Sequence, residues 1–234
     1  LGGGYPALVR ARIGLAKKSG NVDGLVRAVP ASLANDPGLL YERLKWRREK
    51  KMNQGAVEIL RSAPAASQIQ NPKEWWRERH IIIRRLIEEK KYKGAYELAR
   101  VHRQDEGFSH AQAEWLAGWL SLSFLNNPTQ ALQHFETLHG KVKTPVSRAR
   151  TAYWAGKAVK EIGQVELTKS WFEKAAQYQT VFYGQMAGAE LGLKSALPHA
   201  APPTLSSAQS RDFKRHEFIQ ASSLLKKAGM KKDA

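Results

Sequence analysis

The sequence predicts an all-α fold, a superhelical solenoid built from antiparallel helical hairpins. Three observations favour this class. Pairs of a polar residue and a proline divide the chain into short helical segments. Apolar residues recur three and four positions apart, and no run alternates as a strand would. A short pattern also returns about every three dozen residues, which is typical of stacked helical repeats.

Helix starts are marked at four places, where a side chain that accepts hydrogen bonds precedes a proline. These pairs are Asp36-Pro37, Asn71-Pro72, Asn127-Pro128 and Thr144-Pro145. Proline suits the first helical position, and the residue before it caps the free N–H groups of the first turn. Glu74, three residues after Asn71, completes a predicted capping box. The predicted helices cover about residues 6–18, 22–30, 37–51, 54–61, 72–90, 92–103, 109–125, 128–139, 145–162, 165–177, 180–192 and 206–228.

Two of these helices show the apolar spacing most clearly. The helix that follows Thr144-Pro145 carries one broad face, made of Val146, Ala149, Tyr153, Gly156 and Val159. The helix over 72–90 carries two apolar rows, Trp75-Ile82-Leu86 and Trp76-Ile83-Ile87, so we expect other elements to cover it on two sides. Because the loops between consecutive helices are short, we expect the helices to pack as antiparallel pairs.

Small residues mark the repeat. Matching positions 39 and 36 residues apart are occupied by Ala56, Ala95 and Ala131. A second marker is a glycine followed by a phenylalanine in the next helix, as in Gly118 with Phe135 and Gly156 with Phe172. A period of this length, with a small residue where two helices cross, is typical of tetratricopeptide-like repeats. One hairpin cannot bury both of its faces, so the hairpins are expected to stack.

Composition divides the chain into three regions. Residues 1–193 form the predicted solenoid domain, and residues 194–205 form a linker rich in alanine, proline and serine. Residues 206–234 are the predicted start of a second helical domain, with Gly229 as a C-cap. The chain begins Leu1-Gly2-Gly3-Gly4, which we interpret as an excised piece of a longer protein in preference to a chain that has lost a signal peptide.

The chain is strongly basic, with 38 Lys and Arg against 21 Asp and Glu and a formal charge of +17. Such a charge attracts nucleic acid, anionic lipid or an acidic glycan, although clusters of cations are more often solvated helix faces. The absence of cysteine excludes disulfides, thiolate metal sites and cysteine nucleophiles. No apolar run approaches the roughly 20 residues of a membrane-spanning helix, so no membrane span is expected.

Three segments in the second half of the chain carry a family resemblance. They are Ala113-Glu114-Trp115-Leu116-Ala117-Gly118-Trp119-Leu120 continuing to His134-Phe135, Thr144-Pro145-Val146-Ser147-Arg148-Ala149-Arg150 leading into Tyr153-Trp154-Ala155-Gly156-Lys157-Ala158, and Trp171-Phe172-Glu173-Lys174-Ala175-Ala176 followed by Phe182-Tyr183-Gly184-Gln185-Met186-Ala187 and Glu190-Leu191-Gly192. Over about residues 105–195, their order and spacing resemble the superhelical region of the soluble lytic murein transglycosylases. The first hundred residues resemble that region more loosely.

This resemblance implies a periplasmic protein in which a helical superhelix precedes a lysozyme-like domain. In that family the lysozyme-like domain cleaves the glycan strands of peptidoglycan and leaves 1,6-anhydro ends. Its general acid and base is a glutamic acid in a Glu-Ser pair, upstream of a Gly-Leu-Met-Gln stretch. This chain contains neither motif. The resemblance therefore transfers no catalytic residue, and we expect the catalytic domain to be absent from the chain.

No independent catalytic, cofactor or metal site is predicted. The neighbouring carboxylates Asp105-Glu106 and Glu88-Glu89 point about 100° apart on a helix, so they do not converge as glycosidase carboxylates do. The seven histidines are scattered, and no two stand four apart with a glutamate between them, as in zinc hydrolases. We interpret them as surface or capping residues. Phosphate loops, nucleophile elbows and dinucleotide fingerprints are also missing from the sequence.

Tryptophans beside arginines give the candidate contacts with a glycan or a partner, because indoles stack on sugars and guanidinium groups bind carboxylates. These candidates are Trp46, Arg47, Trp75, Trp76, Arg77 and Arg79. The alternative interpretation is that the tryptophans are packing residues, since aromatic side chains dominate buried area. That interpretation is favoured for Trp115, Trp154 and Trp171, which occupy repeat positions. Trp46, surrounded by basic residues, is expected to be the most exposed.

Three functions compete. The first is a non-catalytic superhelical domain of a periplasmic lytic transglycosylase, which supports and positions the absent catalytic domain on peptidoglycan or couples it to cell-wall proteins. The second is a free-standing tetratricopeptide-like scaffold that binds protein partners in its groove. The third, a nucleic-acid-binding helical repeat, is suggested by charge alone, and we expect no nucleic-acid partner. We adopt the first as the working hypothesis.

Overall fold

A computed structural model describes residues 3–193 and 204–230 of the chain. These residues form α-helices, two short 3-10 helices at Ala31–Leu33 and Ala66–Gln68, and no strand, so the predicted all-α class is confirmed for the described part. The helices are α1 (Tyr5–Lys17), α2 (Val22–Arg27), α3 (Pro37–Glu49), α4 (Asn53–Arg61), α5 (Pro72–Glu88), α6 (Tyr92–Arg100), α7 (Gly107–Leu125), α8 (Pro128–Lys141), α9 (Pro145–Ile162), α10 (Val165–Ala176), α11 (Phe182–Glu190), α12 (Ser207–Arg215) and α13 (Glu217–Lys227). Among them, none has the length and apolar character needed to cross a membrane.

The chain divides into two compact units, residues 1–195 and 196–234. Most of the predicted linker, 194–205, lies outside the described residues. In the second unit the predicted single helix 206–228 is wrong, because His216 adopts an extended backbone (φ −60°, ψ 130°) that ends α12 and begins α13. Gly229 lies just beyond α13 with φ +79°, as expected of a C-terminal cap. No described side chain of the second unit is buried.

The predicted helix caps form at three of the four polar residue–proline pairs. Asp36 accepts a hydrogen bond from the Leu39 amide at 2.8 Å. Equivalent bonds follow Asn127 and Thr144, at 3.1 and 3.3 Å. Asn71 precedes α5 as expected, but its side chain accepts no bond from the first turn, so the predicted capping box is wrong. Glu74 is directed instead toward the Tyr41 hydroxyl, 3.4 Å away.

The five odd-numbered helices from α1 to α9 end with the same backbone feature. Just after each helix one residue adopts the left-handed conformation, at positions 33, 39, 36 and 37 residues apart: Lys18, Lys51, Lys90, Asn126 and Gly163. After each of the last four of these left-handed residues, the next helix begins two positions further along the chain. Each of these turns therefore reverses the chain in nearly the same way, and the described residues from 37 to 176 form four equivalent helical hairpins.

Glycines allow close contact within two of these hairpins. A Cβ atom on Gly118 of α7 would lie 2.6 Å from the ring of Phe135 in α8. One on Gly156 of α9 would lie 2.7 Å from the ring of Phe172 in α10. The two glycine–phenylalanine pairs noted in the sequence thus make the same contact in consecutive hairpins. The three alanines that recur in the sequence are fully buried: Ala56, Ala95 and Ala131.

Packing in the first unit is local along the chain. Each extensive helix–helix contact joins helices that are one or two elements apart, such as α8 with α9 or α7 with α9. The core accordingly consists of successive clusters of buried apolar residues, with Trp115 of α7 packed against two of them. Contacts between alternate helices bring α5, α7 and α9 side by side, and these three helices provide the candidate site.

Candidate functional site

An open groove with a volume of about 560 Å³ lies along α5, α7 and α9. This volume falls within the range of ligand pockets in other proteins. Spacings of three and four residues place its side chains on one face of each helix. The lining consists of His80, Arg84, Ile87 and Glu88 of α5, Phe108, Ala111, Gln112, Trp115, Leu116 and Trp119 of α7, and Val146, Ser147 and Arg150 of α9.

The floor of the groove is aromatic. The Trp115 and Trp119 rings are stacked, with centroids 5.8 Å apart and planes inclined by 8°. The Arg150 guanidinium carbon lies 5.1 Å from the centroid of Trp115, close enough for a cation–π interaction. Since Arg150 comes from α9, this contact joins two of the three helices that form the groove.

The groove presents cations that lack anionic partners. Neither Arg84 nor Arg150 forms an ion pair with a described residue, and Nε of Arg150 is buried without an acceptor among those residues. Burial lowers the pKa of Arg150. Burial, and then the charge of Arg84, lower the pKa of His80. Glu88, an exposed residue, is the single carboxylate in the lining.

Two uncharged polar side chains of the groove already take part in hydrogen bonds within the protein. The Gln112 side-chain oxygen accepts a hydrogen bond from Nε1 of Trp76 at 2.9 Å. The Ser147 hydroxyl accepts one from the Thr144 hydroxyl at 3.0 Å. Nε1 of Trp115 is buried and has no acceptor among the described residues. The available chemistry of the groove is therefore apolar surface with positive charge.

No protein-family model, curated protein or solved structure matches the chain. Besides the groove, the described residues contain one further cluster of polar side chains.

A buried cluster of three histidines surrounds Glu114 on the opposite side of α7. Oε1 of Glu114 lies 3.0 Å from Nε2 of His102, and Oε2 lies 2.6 Å from Nδ1 of His134. Nε2 of His110, one helical turn earlier, is 3.9 Å from Oε1. Glu114 and His110 are only 8% and 3% exposed. These histidines are not the surface or capping residues that the sequence suggested.

Hydrogen bonds around the cluster fix the ring protons of two histidines. The backbone N–H of Gln104 donates to Nδ1 of His102 at 2.9 Å. The ring proton of a neutral His102 therefore lies on Nε2, which donates it to Glu114. Nδ1 of His134 donates to the other carboxylate oxygen, so Nε2 of a neutral His134 accepts from the Tyr96 hydroxyl, 3.3 Å away. Burial favours a protonated Glu114, but the bonds from both histidines outweigh burial and lower its pKa to about 2.

Distances alone make this cluster a possible metal site, because one donor atom from each of His102, His110 and Glu114 lies within 4.8 Å of the others. A metal, however, needs a lone pair on Nε2 of His102. Because the backbone N–H of Gln104 donates to Nδ1 of His102, the ring proton of a neutral His102 stays on Nε2, and that atom has no free lone pair. The donor set therefore fits a hydrogen-bonded structural network better than a metal centre, and we assign no metal to it.

The contact residues proposed from the sequence do not form one surface. Trp75, Trp76 and Arg79 are only 6%, 3% and 2% exposed, so they have little surface to offer to a ligand. Trp75 packs beside Tyr41, with ring centroids 5.7 Å apart. Nη1 and Nη2 of Arg79 each donate a hydrogen bond to a backbone carbonyl oxygen. The pattern of tryptophans beside arginines is thus explained by packing at these three positions.

The remaining three proposed contacts lie nearer to solvent. Trp46 is half-buried against the cluster of α1, α2 and α3, so it is less exposed than expected. Nη1 of Arg47 donates to the Gly55 carbonyl oxygen at 2.7 Å. Arg77 is exposed on α5. None of the six residues lines the groove of α5, α7 and α9.

Sequence reasoning missed both the groove and the histidine cluster. One signal was present: His110 and Glu114 are four residues apart, and this spacing puts both on one face of α7. A search for pairs of histidines alone does not detect this pattern. The Trp115 and Trp119 pair has the same spacing, and it forms the floor of the groove.

Proposed function

We propose that this chain is a non-catalytic helical-repeat domain of a periplasmic enzyme similar to the lytic transglycosylases. It supports a catalytic domain that lies outside this chain and positions that domain on peptidoglycan. The repeating hairpins of residues 1–193 are proposed to form a tetratricopeptide-like solenoid, in which each hairpin covers the apolar face of the one before it.

The observation that carries this proposal is the recurrence of one hairpin structure along the chain. The same left-handed turn follows α3, α5, α7 and α9, and the same glycine–phenylalanine contact joins α7 with α8 and α9 with α10. Gly118, Phe135, Gly156 and Phe172 are also among the residues that carry the family resemblance. The resemblance therefore concerns residues that build a scaffold, and a scaffold is the role we assign.

The acidic side chains of the described part support a role without catalysis. In the family that the chain resembles, cleavage depends on a glutamic acid in a Glu-Ser pair, and this chain contains no such pair. Both oxygens of the buried Glu114 are engaged by histidines, and Glu88 stands alone in the groove. In a smaller pocket between α3 and α5, Asp36 and Glu74 accept hydrogen bonds from the Leu39 amide and the Tyr41 hydroxyl.

The proposal is tested with the purified chain and purified peptidoglycan. In a zymogram we expect no clearing, because the chain lacks the Glu-Ser pair on which cleavage depends in the family it resembles. In co-sedimentation we expect the chain to pellet with peptidoglycan, more than an unrelated protein of similar positive charge does. Clearing of the gel would contradict the non-catalytic role. Sedimentation no greater than that of the basic control would contradict a role on the cell wall.

A second candidate function is a free-standing scaffold for protein partners. Exposed apolar side chains at the groove favour it, since Phe108 is 80% exposed and Val146 is 59% exposed. The two candidates share the scaffold and differ in what lies beyond this chain. A gene that continues into a domain with a Glu-Ser pair supports the first, and a gene that is complete at these residues supports the second.

A further inference from the structure

We propose that the groove of α5, α7 and α9 binds a short segment of a protein partner that carries carboxylates next to an aromatic or branched aliphatic side chain. This inference rests on the scaffold role proposed above, and it adds the chemistry of the partner. It does not depend on whether the chain also contacts the wall polymer.

The positive charge of the groove calls for an anionic ligand. Arg84 and Arg150 have no carboxylate partner among the described residues, and Nε of Arg150 is buried without an acceptor. A guanidinium group partly removed from water is stabilised by a carboxylate, which accepts two parallel hydrogen bonds from it. The net charge of +17 also steers acidic segments toward the chain.

The apolar part of the groove calls for a hydrophobic side chain on the same ligand. Phe108 of α7 and Val146 of α9 are exposed, and both line the groove together with the stacked Trp115 and Trp119 rings. Large exposed apolar side chains that line a concave surface are typical of interaction sites. A leucine or phenylalanine of the partner would cover this surface while neighbouring carboxylates reach the arginines.

A peptide fits this lining better than a sugar chain does. Sugars are recognised through a dense set of donors and acceptors for their hydroxyl groups. Here Gln112 and Ser147 are engaged within the protein, and Nε1 of Trp115 is buried. The free polar groups are mostly cations, which match carboxylates better than neutral hydroxyl groups.

The test uses the whole chain and a fluorescently labelled short peptide in which glutamates flank a leucine and a phenylalanine. Two matched peptides replace either the glutamates with glutamines or the two apolar residues with alanines. By fluorescence polarisation we expect both matched peptides to bind at least about ten-fold more weakly, because each loses one class of contact. We also expect binding to weaken strongly between about 0.1 M and about 1 M salt.

Variants of the protein locate the site. Arg84→Gln and Phe108→Ser change exposed side chains of the groove, so the fold should persist, and each is expected to weaken binding several-fold. Arg61→Gln and Val165→Ser are the matched controls, because they change an exposed arginine and an exposed valine outside the groove. Circular dichroism verifies that all four variants remain helical. Binding by the controls is expected to equal that of the unmodified chain.

Four results would overturn the inference. The glutamine peptide binds as tightly as the glutamate peptide, or Arg61→Gln weakens binding as much as Arg84→Gln does. Alternatively, glycan strands freed of their peptides displace the labelled peptide and lose affinity in Arg84→Gln, which assigns the groove to a sugar polymer. If no peptide binds while the chain still sediments with peptidoglycan, this inference fails and the proposed function stands.

Discussion

Arg79 illustrates how a single buried charge can organise neighbouring helices. Its guanidinium donates to the carbonyl oxygens of Leu60 and Leu98 at 3.2 and 3.1 Å, near the C-terminal ends of α4 and α6. Those ends carry partial negative charge from the helix dipoles, which favours a cation between them. Burial, followed by the nearby Arg103, lowers the pKa of Arg79 to about 10, so it remains charged at neutral pH.

We therefore expect Arg79→Met to destabilise the chain by about 2–4 kcal/mol, because two buried carbonyl oxygens lose their donors. Urea unfolding followed by circular dichroism measures this loss. The matched control is Arg77→Met, on the exposed side of the same helix, where we expect a change within about 0.5 kcal/mol. Equal effects of the two substitutions would show that the buried contacts of Arg79 contribute nothing specific.

Glu114 makes the stability of the fold sensitive to acid. Its pKa is about 2 in the folded chain, below the ordinary value of 4.5, so folding favours the ionised form. The resulting stabilisation, on the order of 3 kcal/mol, is fully present above pH 4.5 and is lost as the pH falls toward 2. Burial, then Lys141, lowers the pKa of His110, so acidification below its ordinary pKa also favours the unfolded chain.

Replacing Glu114 by glutamine should remove the first of these two effects, the loss of stability below about pH 4.5. We expect Glu114→Gln to be less stable than the unmodified chain by about 1–3 kcal/mol near neutral pH, because one histidine then faces an amide N–H group. We expect its stability to change less with pH below about 4.5. Urea unfolding between about pH 7 and about pH 3 tests both points, with the exposed Glu136→Gln as control. Parallel pH curves for the two variants would contradict the assignment.

At the scale of elements, the helical hairpins depend on how closely their two helices approach. The ring of Phe135 occupies the space that a side chain at position 118 would need, and Phe172 does the same for position 156. Gly94, in α6, differs, since the nearest atom to an added Cβ is 3.8 Å away on Leu86. An alanine is therefore accommodated at position 94 but not at positions 118 and 156.

Alanine substitutions should accordingly have opposite effects at these glycines. We expect Gly118→Ala and Gly156→Ala to destabilise the chain by about 1–3 kcal/mol through overpacking. Gly94→Ala should stabilise it by about 0.5–1 kcal/mol, because alanine favours the helix and restricts the unfolded chain. Thermal unfolding compares the three variants. Adding Phe135→Leu to Gly118→Ala should recover part of the loss, and the absence of any recovery would contradict the contact.

Elements governed by local sequence were the ones that could be predicted. Caps at Asp36, Asn127 and Thr144 depend on neighbouring residues, and they form. The capping box at Asn71 does not form, since the Asn71 side chain accepts no bond from the first turn and Glu74 faces the Tyr41 hydroxyl on another helix. The groove and the histidine cluster join residues from separate helices and loops, and no local pattern reports which faces of those elements meet.

At the scale of the whole molecule, the first unit lacks extensive contacts between helices distant in sequence within its described residues. Helices in its middle, such as α7 and α8, contact neighbours on both sides, whereas α1 and α2 have described neighbours mainly on one side. In an architecture of this kind stability is approximately a sum of local terms, and the ends open more easily than the middle.

We therefore expect graded protection in native-state hydrogen exchange followed by mass spectrometry. Amides of α7, α8 and α9 should exchange most slowly, and those of α1 and α2 should exchange faster through partial opening. Gly118→Ala should accelerate exchange in α7 and α8 more than in α1. A single opening free energy shared by all helices would show that the unit unfolds as one cooperative body.

The turns within hairpins and the connections between hairpins differ in regularity. From α3 onward the turns at 50–52, 89–91, 126–127 and 163–164 are short and share a left-handed residue, whereas the connections at 62–71, 101–106, 142–144 and 177–181 vary in length. Insertions and deletions should thus be rejected at the first class of junction and tolerated at the second, except at 101–106, where His102 and Gln104 belong to the network around Glu114. The chain has sites where evolution or an engineer can lengthen it, and these alternate with sites where one added residue would turn the following helix away from its partner.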